Sequence, residues 1–340
     1  MTNRRRFLKW TGAGVAAALT TSCTGTEKVA TVGVPLSQFD AKSTAEDVTE
    51  GLDLSGRLAV VTGCSSGIGF ETMRVLAARG AHVIGTSRSV DRAAAAGSSV
   101  DGTVTPLALE LGVPESIVEC AESILAVGQP VDMLICNAGV RGGGNERILV
   151  NGIERHFAIN HLGHFLLVDR LIDNLFDADQ ARIVVVASRT AYTGAPESGI
   201  EFDNLDASRH YDDATAYGQS KLANVLFAYG LANRLRGTRI TANSLHPGLI
   251  DTDIDRNLGV VTRFGFGLLA GAVGKSVEQG AATSCYVATS PLLSAVSGKY
   301  FEDCNAITIV DNPHFEDEVL AERLWTVSAE LMAPYMAGSS

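Results

Sequence analysis

The chain has 340 residues, 46% of them hydrophobic and 19% charged, enough apolar material for a sizeable core. A formal net charge of −11 leaves no basic surface reserve, which excludes nucleic acid as the partner. The six cysteines, Cys23, Cys64, Cys120, Cys136, Cys285 and Cys304, form no CxxC pair and no Cys/His cluster of zinc-ligand spacing. Neither a disulfide framework nor a metal is expected, and Cys64 and Cys136 sit in apolar or Gly-rich runs that suit buried thiols.

In chain order, Asn3-Arg-Arg-Arg-Phe-Leu-Lys9 comes first, followed by an uncharged stretch over residues 10–26. This resembles a twin-arginine (Tat) export signal through Arg4, Arg5, Phe7, Leu8 and Lys9, with Asn3 where Ser or Thr is usual. Residues 10–22 are too few and too mildly apolar for a membrane span. Residues 1–23 are therefore expected to direct export to the periplasm or cell envelope; the alternative is a disordered basic tail on a cytoplasmic protein. Leu19-Thr-Thr-Ser-Cys23 hints at lipid attachment to Cys23, but its Leu stands one position too far away. Without the leader the balance becomes 23 basic against 38 acidic residues. Residues 24–51 read as a polar linker with no usable periodicity.

From residue 52 onward, short apolar runs alternate with helical stretches. Strands are expected over residues 58–62, 82–86, 105–109, 131–136, 182–187 and 238–245. Helices are expected over 70–79, ending on the C-cap Gly80, and over 116–127, 154–176, 216–236 and 277–289. The strands are continuously apolar rather than alternating, so both of their faces must be covered. The fold class is α/β, a single doubly wound Rossmann-type domain over residues 52–337, with a parallel sheet and helices on both faces.

Thr62-Gly-Cys-Ser-Ser-Gly-Ile-Gly69 joins the first of these strands to the first helix. Glycines there let the backbone approach a pyrophosphate, and the helix N-terminus offers N–H groups and a favourable dipole. The segment resembles the TGxxxGxG fingerprint of the short-chain dehydrogenase/reductase family. Cys136-Asn-Ala-Gly139 is similar to that family's NNAG motif, with Cys for the first Asn. The resemblance spans about residues 52–310 and implies a nicotinamide cofactor touching Gly63, Ser65, Ser66, Gly67, Ile68, Gly69, Asn137, Ala138 and Gly139. Gly85-Thr-Ser-Arg-Ser89 holds no acid to bind a ribose 2′-hydroxyl, and Arg88 is available for a fork contact to a 2′-phosphate, so NADP(H) is expected. Glu110 and Leu111 stand where the family usually has Asp-Leu near the adenine.

Tyr217-Gly-Gln-Ser-Lys221 places Tyr217 and Lys221 on one helix face. A free Tyr, with a pKa of about 10, is a poor acid–base group at neutral pH. A neighbouring ammonium favours the phenolate and draws the Tyr toward the working range. By resemblance, Ser188 holds the substrate oxygen and Asn160 orders a relay water through Lys221, which also binds the nicotinamide ribose. Pro247, Gly248 and Thr252, in His246-Pro-Gly-Leu-Ile-Asp-Thr252, would wall the nicotinamide. His161 and His164 receive no catalytic role and read as polar core or surface residues.

The 29-residue separation of Ser188 and Tyr217 exceeds the spacing usual in the family's bacterial ketoreductases. Glu278-Gln-Gly-Ala-Ala-Thr-Ser-Cys-Tyr-Val-Ala288 and Val296-Ser-Gly-Lys-Tyr-Phe-Glu-Asp-Cys304 resemble the retinol dehydrogenase-like and WW-domain-oxidoreductase-like members. The resemblance implies a hydride-transferring oxidoreductase acting on a carbonyl or alcohol carbon of a lipophilic small molecule. Residues 258–273, rich in Gly, Leu, Val and Phe, suit either an apolar lid or a packed surface helix. The implied partners are that small-molecule substrate and, during export, the Tat translocon; a homo-oligomer is left open. The rival readings are a catalytically idle NADP-binding sensor or scaffold, a sugar-nucleotide epimerase, which also uses YxxxK, and an envelope structural protein suggested by the leader alone.

Overall fold

Leu58–Thr62 (β2) is buried along its whole length and pairs in parallel with a strand on each side, so it must sit mid-sheet. The computed structural model describes residues 26–144, 146–250 and 274–337. The remaining strands are β1 (Lys28–Ala30), β3 (His82–Ser87), β4 (Thr103–Ala108), β5 (Met133–Cys136), β6 (Leu149–Val150), β7 (Ile153–Glu154), β8 (Ala181–Val186), β9 (Ile240–His246), β10 (Tyr300–Glu302) and β11 (Asn305–Ile309). Excluding the β6–β7 hairpin, they form one sheet in the order β1-β11-β10-β9-β8-β5-β2-β3-β4. Every pairing from β10 to β4 is parallel, and β11 runs antiparallel to both β10 and β1. The doubly wound α/β architecture is therefore present, with two antiparallel pairings added at one edge.

Two apolar clusters cover the two faces. One packs α4 (Pro114–Leu125), α5 (Gly163–Phe176) and, after the short α6 (Thr190–Thr193), α7 (Asp213–Arg234) against the sheet. The other packs α1 (Ala45–Val48), α2 (Gly67–Ala78), α3 (Val90–Gly97) and α8 (Val277–Thr289). Arg182 is buried in β8, and its guanidinium donates to the Ser290 and Val287 carbonyls at 2.7 and 3.2 Å, closing the C-terminal end of α8. The C-terminal helix α9 (Glu318–Met332) lies across α7. Its Trp325 packs edge-on to Phe165 at 5.0 Å, beneath the Arg234 guanidinium at 4.0 Å.

Two sequence expectations change. Residues 24–51, read as a linker, are built into the domain over their described part. Strand β1 pairs with β11, Thr44 and Asp47 form a capping box on α1, and Asn305 takes the Ser37 amide at 2.9 Å while donating to the Phe39 carbonyl at 3.0 Å. A strand this short carries no readable period, and the strand it pairs with lies at the other end of the chain. The helix expected over residues 154–176 opens instead as a π-helix, Phe157–Leu162, which continues into α5.

Candidate active site

All the expected site residues that the structure describes stand at the C-terminal ends of the parallel strands or on the elements that follow them. The strand order reverses between β2 and β5, opening a crevice there, and ligands of doubly wound sheets bind at such a switch point. The loop from β2 to α2 lines it. Gly63 adopts φ +73°, and a Cβ on Gly69 would lie 2.2 Å from the Gly63 carbonyl oxygen and 2.4 Å from Asn137 Nδ2. Only glycine permits that approach. Helix α2 starts at Gly67 beside the exposed Ser65 and Ser66, and its N-cap Ser66 makes no side-chain capping bond, so that side chain does not occupy the first-turn N–H groups. This cradle fits the pyrophosphate of a dinucleotide.

Thr62 holds the two sides of the crevice together. Its hydroxyl accepts from the backbone N–H groups of Asn137 and Ala138, each at 2.9 Å, and lies 2.9 Å from His164 Nε2. His164 Nδ1 lies 3.1 Å from the Asn160 carbonyl, which only accepts, so Nδ1 carries the proton and Nε2 accepts from Thr62. Burial, with a smaller push from Lys221, lowers the His164 pKa to about 4, consistent with the neutral tautomer. Asn137 completes the joint by donating its side-chain N–H to the Thr62 carbonyl at 2.7 Å. Both histidines are fully buried, which rules out the surface alternative. His161 lies among Phe157, Phe165 and Phe227, 2.8 Å from the Ser328 hydroxyl, with burial lowering its pKa to about 3.

The four expected catalytic residues arrive on two helical elements and a strand end. Asn160 lies in the π-helix, where its side-chain oxygen accepts from Val140 N–H at 2.7 Å. Its amide donates to the Val140 carbonyl and to Ser220 Oγ, both at 3.0 Å. Ser220 in turn donates to the Tyr217 carbonyl at 2.8 Å, tying Asn160 to the middle of α7. Tyr217 is almost fully buried, with Lys221 Nζ 5.8 Å from its ring centroid, the Arg141 guanidinium at 5.3 Å and the His156 ring edge-on at 5.8 Å. The Lys221 ammonium donates to the Val186 carbonyl at 3.0 Å, two residues before Ser188. Burial lowers the Lys221 pKa to about 8. Ser188, half-buried beyond β8, accepts from Thr190 N–H at 3.3 Å. A Cβ on Gly139 would lie 3.1 Å from Asn160 Oδ1 and 3.6 Å from Lys221 Nζ, so these three residues share one small space.

The other expected contacts ring this centre. Arg88 is exposed just past β3, and Glu110 and the buried Leu111 follow β4, with Glu110 Oε1 accepting from Gly112 N–H at 3.4 Å. Pro247 and Gly248 follow β9, with Gly248 at φ +111° against the Lys275 side chain. Thr252, the segment 258–273, Cys23 and the leader lie outside the described residues. Cys64, Cys120, Cys136, Cys285 and Cys304 are free and buried, and burial pushes the Cys64 and Cys136 thiols up to about 12. Sequence reasoning assigned no role to Thr62, Arg141, His156, His164 or Ser220. Of these, Thr62 and Ser220 lay inside quoted motifs.

The short chain dehydrogenase family model matches residues 57–200, and the model of the Tat (twin-arginine translocation) pathway signal sequence matches residues 1–21. The short-chain dehydrogenase TIC 32 A, chloroplastic, of Brassica napus is 39% identical, with 87% of this chain and 95% of that protein covered. Mouse retinol dehydrogenase 12 is 38% identical (84% and 89% covered), and the human WW domain-containing oxidoreductase 35% (89% and 74%). A crystal structure of an uncharacterised protein from Mycobacterium paratuberculosis superimposes with TM-score 0.67 at 28% identity, covering 86% of this chain and 98% of that one. A blue fluorescent protein from a metagenomic library, solved in complex with NADPH, gives TM-score 0.58 at 25% identity, covering 73% and 96%. With its crevice at the β2–β5 reversal, its TGxxxGxG turn and relatives of this identity along most of its length, the chain belongs to the short-chain dehydrogenase/reductase family of oxidoreductases.

Proposed function

We propose that the protein is an NADP(H)-dependent oxidoreductase that interconverts a carbonyl and an alcohol on a lipophilic small molecule, with Tyr217 as proton donor and acceptor. The observation that carries this reading is the placement of Tyr217 and Lys221 one turn apart on α7, with the ammonium buried on the Val186 carbonyl beside the crevice. When bound, the dinucleotide supplies or takes the hydride. Tyr217 gives the developing alkoxide its proton in reduction and removes it in oxidation. The positive charge of Lys221 favours the phenolate and eases that exchange. Ser188 donates to the same substrate oxygen and fixes the carbonyl. Gly139 brings its bare backbone against both Asn160 Oδ1 and Lys221 Nζ, and a water held between those two groups would return protons to Lys221.

NADP(H) is favoured by Arg88, exposed at the end of β3 in a segment without an acid, and a structural neighbour is solved with NADPH. The lipophilic substrate is supported by the name of retinol dehydrogenase 12. A catalytically idle role finds no support among relatives named as dehydrogenases and oxidoreductases. Tyr217→Phe is expected to abolish turnover of a panel of lipophilic aldehydes and ketones while NADPH binding stays near native. Full activity in that variant would refute the assignment.

The leader match supports export of the folded, cofactor-loaded protein to the periplasm or envelope. A native-state ligand stabilises the fold during transit. Fractionation of cells expressing the native chain beside an Arg4→Lys, Arg5→Lys double variant decides this. The variant should remain cytoplasmic, and an uncleaved native chain in the cytoplasm would sink the export reading.

A further inference from the structure

We propose that Lys28, Glu302 and Tyr192 are positioning residues that set the turn carrying Ser188, so that β1, the strand nearest the leader, is part of the machinery of the site. The inference rests on the reading of Ser188 as the group that holds the substrate oxygen.

Glu302 is buried on β10, at the register position of His246 on the neighbouring β9. A buried carboxylate needs donors for its lone pairs, and here three arrive from three elements. Oε1 accepts from the Tyr192 hydroxyl at 2.9 Å and from the Tyr300 hydroxyl at 3.2 Å. Oε2 accepts from the Lys28 ammonium, which reaches past β11 from the edge strand β1 and lies 5.4 Å from the Tyr192 ring centroid. Burial, with the Glu302 charge adding to it, raises the pKa of both tyrosines, so both hydroxyls remain donors.

Tyr192 turns this cluster into a support for Ser188. It lies in α6, four residues after Ser188, and its hydroxyl accepts from Arg189 Nε at 3.1 Å while donating to Glu302. The stretch between is closed on itself. The Ser188 carbonyl accepts from Ala191 N–H at 3.0 Å, Ser188 Oγ from Thr190 N–H at 3.3 Å, and the Arg189 carbonyl from Tyr192 N–H at 3.1 Å. Displacing Tyr192 therefore displaces the backbone that aims Ser188. Phe315 and Tyr300 pack edge-on to the Tyr192 ring at 5.9 and 6.4 Å, while the carboxylate fixes its hydroxyl end. A buried carboxylate stripped of its bonded cation turns toward water, and Tyr192 then loses its acceptor. Lys28 stands seven residues beyond the leader match, so trimming of the chain past it would loosen the site.

The test is amide hydrogen exchange on the full-length, NADPH-loaded protein, read by mass spectrometry on peptides covering residues 188–194. In Lys28→Met and in Tyr192→Phe, exchange there should rise on the order of 10- to 100-fold. The α2 and α4 amides and NADPH affinity should stay native, and Lys28→Arg should restore most of the protection. Native exchange over 188–194 in both variants overturns the proposal. So does a rise shared equally by α2 and α4, which would mean that the cluster supports only global stability. Turnover of the aldehyde probe decanal is the second readout. Each variant should lower kcat on the order of 10-fold, yet add less than about 2-fold once Ser188 is already Ala. A full, additive loss in that background overturns positioning through Ser188. Native turnover in Ser188→Ala alone would instead strike the reading of Ser188 itself, with the exchange result left standing.

Discussion

Lys221→Met separates stability from activity at one residue. Burial lowers the Lys221 pKa from 10.5 to about 8, in a side chain almost wholly removed from solvent. At about 1.4 kcal/mol per unit, carrying the charge costs the folded protein about 3 kcal/mol. Methionine has similar length and no charge, and the Val186 carbonyl keeps a donor in Asn224 Nδ2 at 3.2 Å, so no acceptor is orphaned. At pH 7, without cofactor, the Met protein should be the more stable by about 3 kcal/mol, a rise on the order of 5 to 10 °C in Tm. The sign follows from the protons bound. Below pH 8 the lysine is charged in both folded and unfolded chains, and the cost is fully present. Between about 8 and 10.5 the unfolded chain holds more protons, so native stability climbs with pH; above 10.5 the cost has gone. The gap between the proteins should therefore close across that window, while turnover in the Met protein is lost by on the order of 10²- to 10⁴-fold. Denaturant titrations of both proteins from pH 7 to 10.5 measure the gap, and global alkaline effects cancel in the difference. A Met protein less stable at pH 7, or a gap independent of pH, would refute the cost assigned to the buried ammonium.

Thr62→Val should cost about 2 to 4 kcal/mol and weaken NADPH binding, because the Ala138 N–H loses its acceptor, the Asn137 N–H keeps only the Ile135 carbonyl at 3.0 Å, and His164 Nε2 loses its donor. Unchanged stability in a denaturant melt would show that the joint has other support. Arg88→Asp should reduce the NADPH-over-NADH affinity ratio on the order of 100-fold, as a charge-assisted contact becomes a repulsion. A native protein that binds both dinucleotides equally would remove the basis for that prediction.

What could be read from the chain alone was what local spacing dictates. Helix α8 is expected over residues 277–289 and spans Val277–Thr289, because its start is fixed locally by the Ser276–Gln279 capping box. Tyr217 and Lys221 were legible for the same reason, since four residues on a helix bring two side chains to one face whatever surrounds them. Strand β1 was not, because what makes Lys28–Ala30 a strand is its pairing with Thr308 and its neighbours. The π-helix around Asn160 was also hidden. A one-residue change in hydrogen-bond offset leaves the apolar period nearly intact, while the side chain it re-aims finds Val140 and Ser220.

His164 shows where the boundary falls. In the sequence it is a histidine on a helix, with polar core and surface both open to it. In the fold it lies across from Thr62, 102 positions earlier in the chain, and its state follows from counting donors. The Asn160 carbonyl can only accept, so Nδ1 must donate; Nε2 must then accept, and the Thr62 proton is the one that reaches it. That leaves the lone pairs of Thr62 to the Asn137 and Ala138 N–H groups, fixing the loop at the end of β5 against the end of β2. One histidine thereby links the backbone of the π-helix to both walls of the crevice. Such a role belongs to residues that join remote elements, and no local pattern encodes it. The side chains expected to do chemistry were therefore readable in advance, while those that hold them in place became readable only once the strands were ordered.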